Sequence, residues 1–388
     1  MKMTMTLERT TALALLLAVA SPGGCQTTFE FSGLKWTSTA TDAVVEEYLG
    51  REALRMRSGA AVLPDVELRN GVIEFDVATT GHRSFVGAAF RLRQDPEVEY
   101  EHFYLRPHQT GRFDATQYTP EIGGLAAWQL YPEYNAPVDI PVGEWIHVRL
   151  ALSGSRLEAW VGDAPDATLV VEDLRLGGEP GGFALTSNFP EAASLDLYPT
   201  AFSNVVVTPD DEAPATQAEE TEEALPGTVT EWALSGSVPS DSRHVTTLLP
   251  ETLEALSWGV VSADRRGRVN VAEHRRFAEG AREGRVYASV SLHADARRVV
   301  PLGFGFSDRG SVFLNGRLLF TADNTYRSRS GRYLGVLTVD NDTLYLPLEA
   351  GVNRLVFAVT EAFGGWGFVA RLGETEGIRV IAEPPAGP

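Results

Sequence analysis

The sequence predicts an all-β chain: two antiparallel β-sandwich (jelly-roll) domains joined by a flexible acidic linker. Three observations carry that expectation. Segments of alternating apolar and polar residues recur at short spacing up to about Thr208, with no helical stretch of useful length between them, and period 2 is the signature of a strand. From Pro209 to Gly227 the run PDDEAPATQAEETEEALPG is acidic, rich in Pro and Ala and free of aromatic residues. Such a composition cannot bury enough apolar surface to order itself, so the two halves are expected to move independently. Strand patterning resumes at Thr228, and SVFLNGRLLF sets Asn315-Gly316 between two apolar runs, the favoured type I′ hairpin turn.

The chain has 388 residues, long enough for two or three domains, and its hydrophobic fraction of 44% supports packed cores. A formal net charge of −19 argues against nucleic acid or an anionic membrane surface as partner, since both need a basic field. At the N-terminus Lys2 and Arg9 precede the apolar run from Thr11 to Ala20 and then Ser21-Pro22-Gly23-Gly24-Cys25, the order of an export signal over residues 1–25. Two cleavages fit it. Val19-Ala20 satisfies the small-residue rule of ordinary signal peptidase, whereas Gly23-Gly24-Cys25 is similar to the end of a bacterial lipobox, although Pro22 replaces the usual Leu. Cys25 is the only cysteine, so no internal disulfide exists, and lipidation would remove a free thiol from an oxidising compartment. The expectation is an exported protein, anchored by lipid at Cys25 in the cell envelope or secreted, with no other membrane contact.

Over residues 29–208, Gly71 to Val77 alternates with Ile73, Phe75 and Val77 inward and Glu74 and Asp76 outward. Ser84 to Arg93 buries Val86, Ala88, Phe90 and Leu92 and displays Arg91 and Arg93. Trp145 to Leu150 and Leu157 to Val161 form a strand pair around Ser153-Gly154-Ser155, and Phe202 to Val207 is the last strand. The densest stretch in aromatic, imidazole, guanidinium and amide groups is Tyr100 to Tyr131. There Tyr100, His102, Tyr104, Arg106 and His108 share one strand face, expected to meet water as a recognition ladder. Phe103 and Leu105 point into the core, and Glu101 sits at the strand's start. Sugars offer C–H faces to aromatic rings and hydroxyls to Arg, Gln, Asp and His. The expected ligand site is therefore Tyr104, Arg106, His108, Gln109, Gln117, Tyr118, Trp128 and Gln129, with a glycan as ligand; the alternative makes Tyr104, Trp128 and Tyr131 partly core.

The phrases GVIEFDV, GEWIHVRLALSGSRLEAWVGD and FSNVVV resemble the concanavalin A-like (laminin-G-like) β-sandwich. The resemblance implies two packed antiparallel sheets, one concave, with ligands on the concave face or loop rim. Members include carbohydrate binders, protein binders, glycoside hydrolases and lyases. The catalytic pattern of one glycosidase family of this fold is incomplete here: Glu74 and Asp76 are present, but Thr79 stands where a second Glu is required. Those acids are expected to pair with Arg91 or Arg93 instead. Another family of the fold uses acids and His near a metal, and His82, His102, His108 and His147 are available. Positions 102 and 108 are too far apart on one strand to share an ion unless the chain turns at Pro107. Calcium is the one cofactor the resemblance raises, and Asp114, Asp139 and Asp163 fall in loops that would suit it.

Over residues 228–383, Trp232 and Leu234, Trp258 to Val261, Arg268 to Val271, Val286 to His293, Leu344 to Leu348 and Arg354 to Val359 read as strands, with a short helix near Pro250 to Leu256. GFGFSDRGSVFLNGRLLF and LPLEAGVNRLVFAVTEAFGGWGFVARL resemble the galactose-binding-like jelly roll appended to secreted bacterial hydrolases. That resemblance leaves Asp308, Arg309, Asn324, Tyr326, Arg327 and Trp366 either as a ligand rim or, with Trp366 in the core and Asp308 capping a turn, as scaffold. Arg265, Arg266, Arg268, Arg275 and Arg276 read as solvated loop charge or as contacts to an acidic partner. The leading expectation is non-catalytic glycan binding; the alternatives are a glycoside hydrolase or polysaccharide lyase, and an envelope scaffold or protein-binding module.

Overall fold

The computed structural model describes residues 27–385 apart from 41, 95–96, 192–196, 211–223 and 241–242. The export signal, Cys25 and most of the acidic run therefore lie outside the described residues. Nearly all regular structure is antiparallel strand, as the alternating pattern predicts. One sheet orders Thr27–Phe31, Leu34–Ser38, Gly59–Leu68, Gly181–Asn188, Phe85–Arg93, Glu99–Leu105, Thr116–Ile122 and Leu125–Ala126, with Asn135–Ala136 also on Thr116–Ile122. Facing it is a sheet in the order Leu169–Val171, Arg156–Val161, Trp145–Ser153, Gly71–Thr79, Thr200–Pro209, Arg51–Met56 and Ala43–Tyr48. Trp36, Phe75, Phe90, Phe103 and Phe183 fill the space between them.

The second half repeats the plan. Gly284–Ala294 and Gly351–Glu361 centre one sheet, and Arg298–Ser307 and Gly367–Leu372 centre the other. Trp232, Phe304, Phe357, Trp366 and Phe368 are buried between them. The helix forms at Pro250–Glu254, and the Asn315-Gly316 turn joins Arg309–Leu314 to Arg317–Asp323. Both turn residues have positive φ, 51° and 77°. A Cβ on Gly316 meets no atom, so Gly316→Ala tests the backbone alone: a loss of about 1 kcal/mol in urea unfolding is expected, and no loss would contradict the left-handed assignment.

The expectation of independently moving halves is overturned. The first core continues into the second sandwich through Leu337 and Val369. Leu130 is fully buried against the Gly364–Gly367 backbone, which approaches so closely that a Cβ on Gly367 would stand 2.7 Å from a Leu130 methyl. Gln129 makes all of its hydrogen bonds across the seam. Its backbone N–H donates to Gly364 O at 2.8 Å, its carbonyl accepts from Leu337 N at 2.7 Å, its Nε2 donates to Leu334 O at 2.7 Å and its Oε1 accepts from Ser307 Oγ at 3.1 Å.

Three of the arginines read as solvated charge, Arg266, Arg268 and Arg276, instead reach acids of the first sandwich across this seam. Arg268 donates to Glu133 (2.9 Å), Asp264 (2.8 Å) and the Leu130 carbonyl (2.7 Å) and lies 4.6 Å over the Tyr131 ring. Arg276 bonds Glu97 and Glu99, and Arg275 donates to the Ser235 and Leu234 carbonyls. In the reverse direction Arg175 holds Glu273 by two bonds of 3.0 Å. The acidic partner is the protein's own first sandwich.

Candidate functional site

The candidate site lies on the outward face of the sheet that contains Glu99–Leu105. Register places Ala60, Thr186, Gly87, Tyr104 and Gln117 in one cross-strand row and Val62, Ala184, Ala89, His102 and Thr119 in the next. Tyr100 opposes Glu121, and Phe85 opposes Asn188. The residues at 87 and 89 are small, so His102 reaches over their strand, and its Nε2 lies 2.9 Å from Thr186 Oγ1. The Tyr100, His102 and Tyr104 rings follow one another at 5.7 and 4.8 Å, and Tyr104 donates its hydroxyl to Gln117 Oε1 at 2.6 Å.

This ladder does not meet water as expected. Tyr100, His102 and Tyr104 are only 1%, 4% and 5% exposed, so both faces of the strand are covered. Alternation identifies which residues share a face, but a central strand covered on both sides alternates just as well. Glu101 sits within the strand rather than at its start. It is fully buried on the core side, where it accepts from the Tyr118 hydroxyl at 2.5 Å and from Leu176 N at 2.8 Å. Tyr118 accordingly belongs to the core and Gln129 to the seam, so neither is on this face. Arg91, expected to be displayed, is buried and donates to the carbonyls of Arg69, Gly154 and Gly177. Asp76 is on the other sheet, held by Arg51, His147 (2.8 Å) and Asn204 (2.7 Å), and Glu74 faces Arg149 at 3.8 Å; neither pairs with Arg91 or Arg93.

The face opens at one end. The chain turns at Pro107–Gln109, which brings His108 back beside the strand, its ring 5.5 Å from Phe85. The Arg106 guanidinium is caged by three rings, Phe85 at 5.5 Å, Tyr104 at 5.8 Å and Trp128 at 5.9 Å, and is fixed by Asp114 at 2.6 Å. Phe85, His108, Gln109 and Trp128 are half-buried. Gln109 accepts from Arg112 at 3.1 Å. Trp128 meets Tyr326 and Phe363 of the second sandwich edge-on at 5.7 Å and tilted at 5.9 Å.

Four buried polar atoms around this face have no hydrogen-bond partner: Arg106 Nε, His108 Nδ1, Asn188 Oδ1 and Glu121 Oε2. Buried polar groups are satisfied in nearly all native structures, so these four are donors and acceptors still to be offered; similar orphans occur elsewhere, and what distinguishes this face is that they stand beside half-buried rings. Burial lowers His102 to about 3, and burial with Arg106 and Arg83 nearby lowers His108 to about 4. Burial lifts Glu121 to about 8 against a hydrogen bond donated by Tyr100. All three are uncharged at neutral pH.

Phe85, Thr186, Asn188 and Glu121 were not singled out from the sequence. Phe85 carried a signal, standing opposite in phase to buried Val86; the others are joined to the face only by cross-strand register. Among the described residues no group of three or more His, Cys, Asp or Glu is arranged to hold a metal ion, although the chain does turn at Pro107. Asp114 is engaged by Arg106. A cleft of about 570 Å³ also opens along the seam beside Tyr134, Glu133, Asp264, Arg268 and Arg371. Its Glu133 and Asp264 carboxylates are already held by Arg268.

No protein-family model matches the chain, and no curated protein matches it. Among solved structures it is similar to a carbohydrate binding module from Bacillus subtilis, at 15% identity over 44% of this chain and 92% of that one, with a TM-score of 0.32. A family 35 carbohydrate binding module from an environmental isolate is similar at 18% identity over 42% of this chain and 97% of that one, TM-score 0.21. Domains LG4-5 of the mouse laminin alpha1 chain are similar at 14% identity over 90% of this chain and 97% of that one, TM-score 0.27.

Proposed function

We propose that the protein is a non-catalytic glycan-binding protein of the bacterial cell envelope, taking its ligand at the open end of the first sandwich's sheet. The observation that carries this reading is the set of unpartnered polar atoms at Arg106, His108 and Asn188 beside the half-buried rings of Phe85 and Trp128. Rings that stack on sugar C–H faces, next to fixed donors and acceptors for hydroxyls, are what a polyol requires. The surrounding His102, His108 and Glu121 groups are neutral, so the enclosed part of the face hydrogen-bonds without presenting charge. Of the eight residues expected from the sequence, Tyr104, Arg106, His108, Gln117 and Trp128 gather here, and Gln109 stands at the rim.

Glycan-array binding by the mature chain is the test. Trp128→Ala and Arg106→Ala together should abolish retention, whereas Arg149→Ala on the opposite sheet should not. Undiminished binding by the folded double variant would sink the proposal.

A further inference from the structure

Resting on that reading, we propose that the ligand is an acidic polysaccharide, a chain of uronic acid or sulfate-ester sugars. It lies along a track of guanidinium groups and aromatic rings that crosses from the first sandwich to the second. The Arg83 guanidinium stands 6.0 Å from the Phe85 ring, Arg106 lies 5.5 Å from Phe85 and 5.9 Å from Trp128, Trp128 meets Tyr326 at 5.7 Å, and Arg327 covers Tyr326 at 4.9 Å. Cations and rings thus stand side by side along the whole track, so both the acid groups and the ring faces of such a polymer meet a partner on it.

Charge is the deciding observation. The chain carries −19, and most of its arginines near the seam are consumed by carboxylates. Arg106 in the middle of the track is held by Asp114, so its free positive charge lies at the two ends, where Arg83 and Arg327 show no ion pair among the described residues. Arg112 near the same rim is exposed and bonds only a neutral amide. Against a net charge of −19, these cations give the track a local positive field that a polyanion can follow. Arg327 is also held in an uncommon backbone conformation for a non-glycine residue, φ 64°, with its N–H donating to Tyr333 O at 2.8 Å. Such positions persist where the surrounding structure enforces them, and here the result is a guanidinium displayed over a ring. Tyr326 and Arg327 make the site composite, because the first sandwich alone would present half of the track.

The same chemistry attracts phosphates, but the adjoining uncharged face of Tyr104, His102 and Thr186 suits hydroxyls, which favours sugar over nucleic acid. The experiment is titration calorimetry of the mature chain with polygalacturonate, its methyl-esterified form and a single-stranded oligonucleotide, for the wild type, Arg83→Gln, Arg327→Gln and the double variant. Polygalacturonate should bind at least about tenfold tighter than the ester, more weakly as salt rises, and each variant should lose roughly tenfold. Equal binding of acid and ester overturns the acidic-ligand inference while leaving glycan binding in place. Unchanged polygalacturonate binding by the double variant, or preference for the oligonucleotide, overturns it as well. Binding of no glycan by the folded chain overturns it together with the reading on which it rests.

Discussion

Replacing Arg268 with alanine is expected to destabilise the protein by about 3–5 kcal/mol, the cost of stranding a buried charge. Its guanidinium is nine-tenths buried between Asp264, itself 4% exposed in its side chain, and Glu133 of the other sandwich. Removing it leaves Asp264 in a desolvated pocket and strips the cation from the face of Tyr131. Arg268→Lys keeps the charge but cannot reach Asp264, Glu133 and the Leu130 carbonyl at once, so its loss should be smaller. Guanidinium unfolding followed by tryptophan fluorescence is the measurement, with the added expectation that the single transition of the wild type separates into two for Arg268→Ala. A loss below about 1 kcal/mol would mean that the seam does not depend on this ion triad.

The second large effect concerns pH. Glu121 is pushed up from 4.5 to about 8 by burial. A raised carboxyl leaves stability undiminished below the unfolded pKa, near 4.5; as pH climbs, the unfolded chain ionises first, and stability drains away until the folded form ionises near 8. Glu121→Gln removes that titration. The variant should match the wild type at pH 4 and exceed it at pH 9 by an amount on the order of 4 kcal/mol. Urea midpoints at pH 4, 6, 8 and 9 decide the matter: a constant difference across the range would show that Glu121 titrates normally in the folded state. Asp308, also raised, to about 7 by burial, is common to both proteins and cancels in the comparison.

Strand identity was legible because alternation, turn residues and the Asn315-Gly316 pair are local properties, and each of them reappears in the fold. Asp308 capping Ala362 and Phe363 and Trp366 in the core were legible in the same way. What alternation does not contain is the environment of a face. The ladder from Tyr100 to Tyr104 has the expected phase and the opposite exposure, because small residues on the neighbouring strand at positions 87 and 89 let its side chains lie down over the sheet. The seam was illegible for a different reason. An arginine such as Arg276 reads as solvated unless its acid is known, and the acids at positions 97 and 99 are nearly two hundred residues earlier. Trp128 was recognised as important, yet it packs against Tyr326 and Phe363, which no spacing connects to it.

The seam changes what the acidic segment between the sandwiches is for. Gln129 alone is tied to four points of the second half, and apolar side chains interlock beneath those bonds. Cohesion of the two halves therefore resides in a fitted surface rather than in the covalent connection between them. Cutting the chain within the acidic run would leave a complex, not two fragments. By the same logic, neither half is a portable module: grafted alone onto another protein, the first would carry a raw patch of Leu130, Tyr131 and uncompensated glutamates, and would have lost the far wall of its own binding edge.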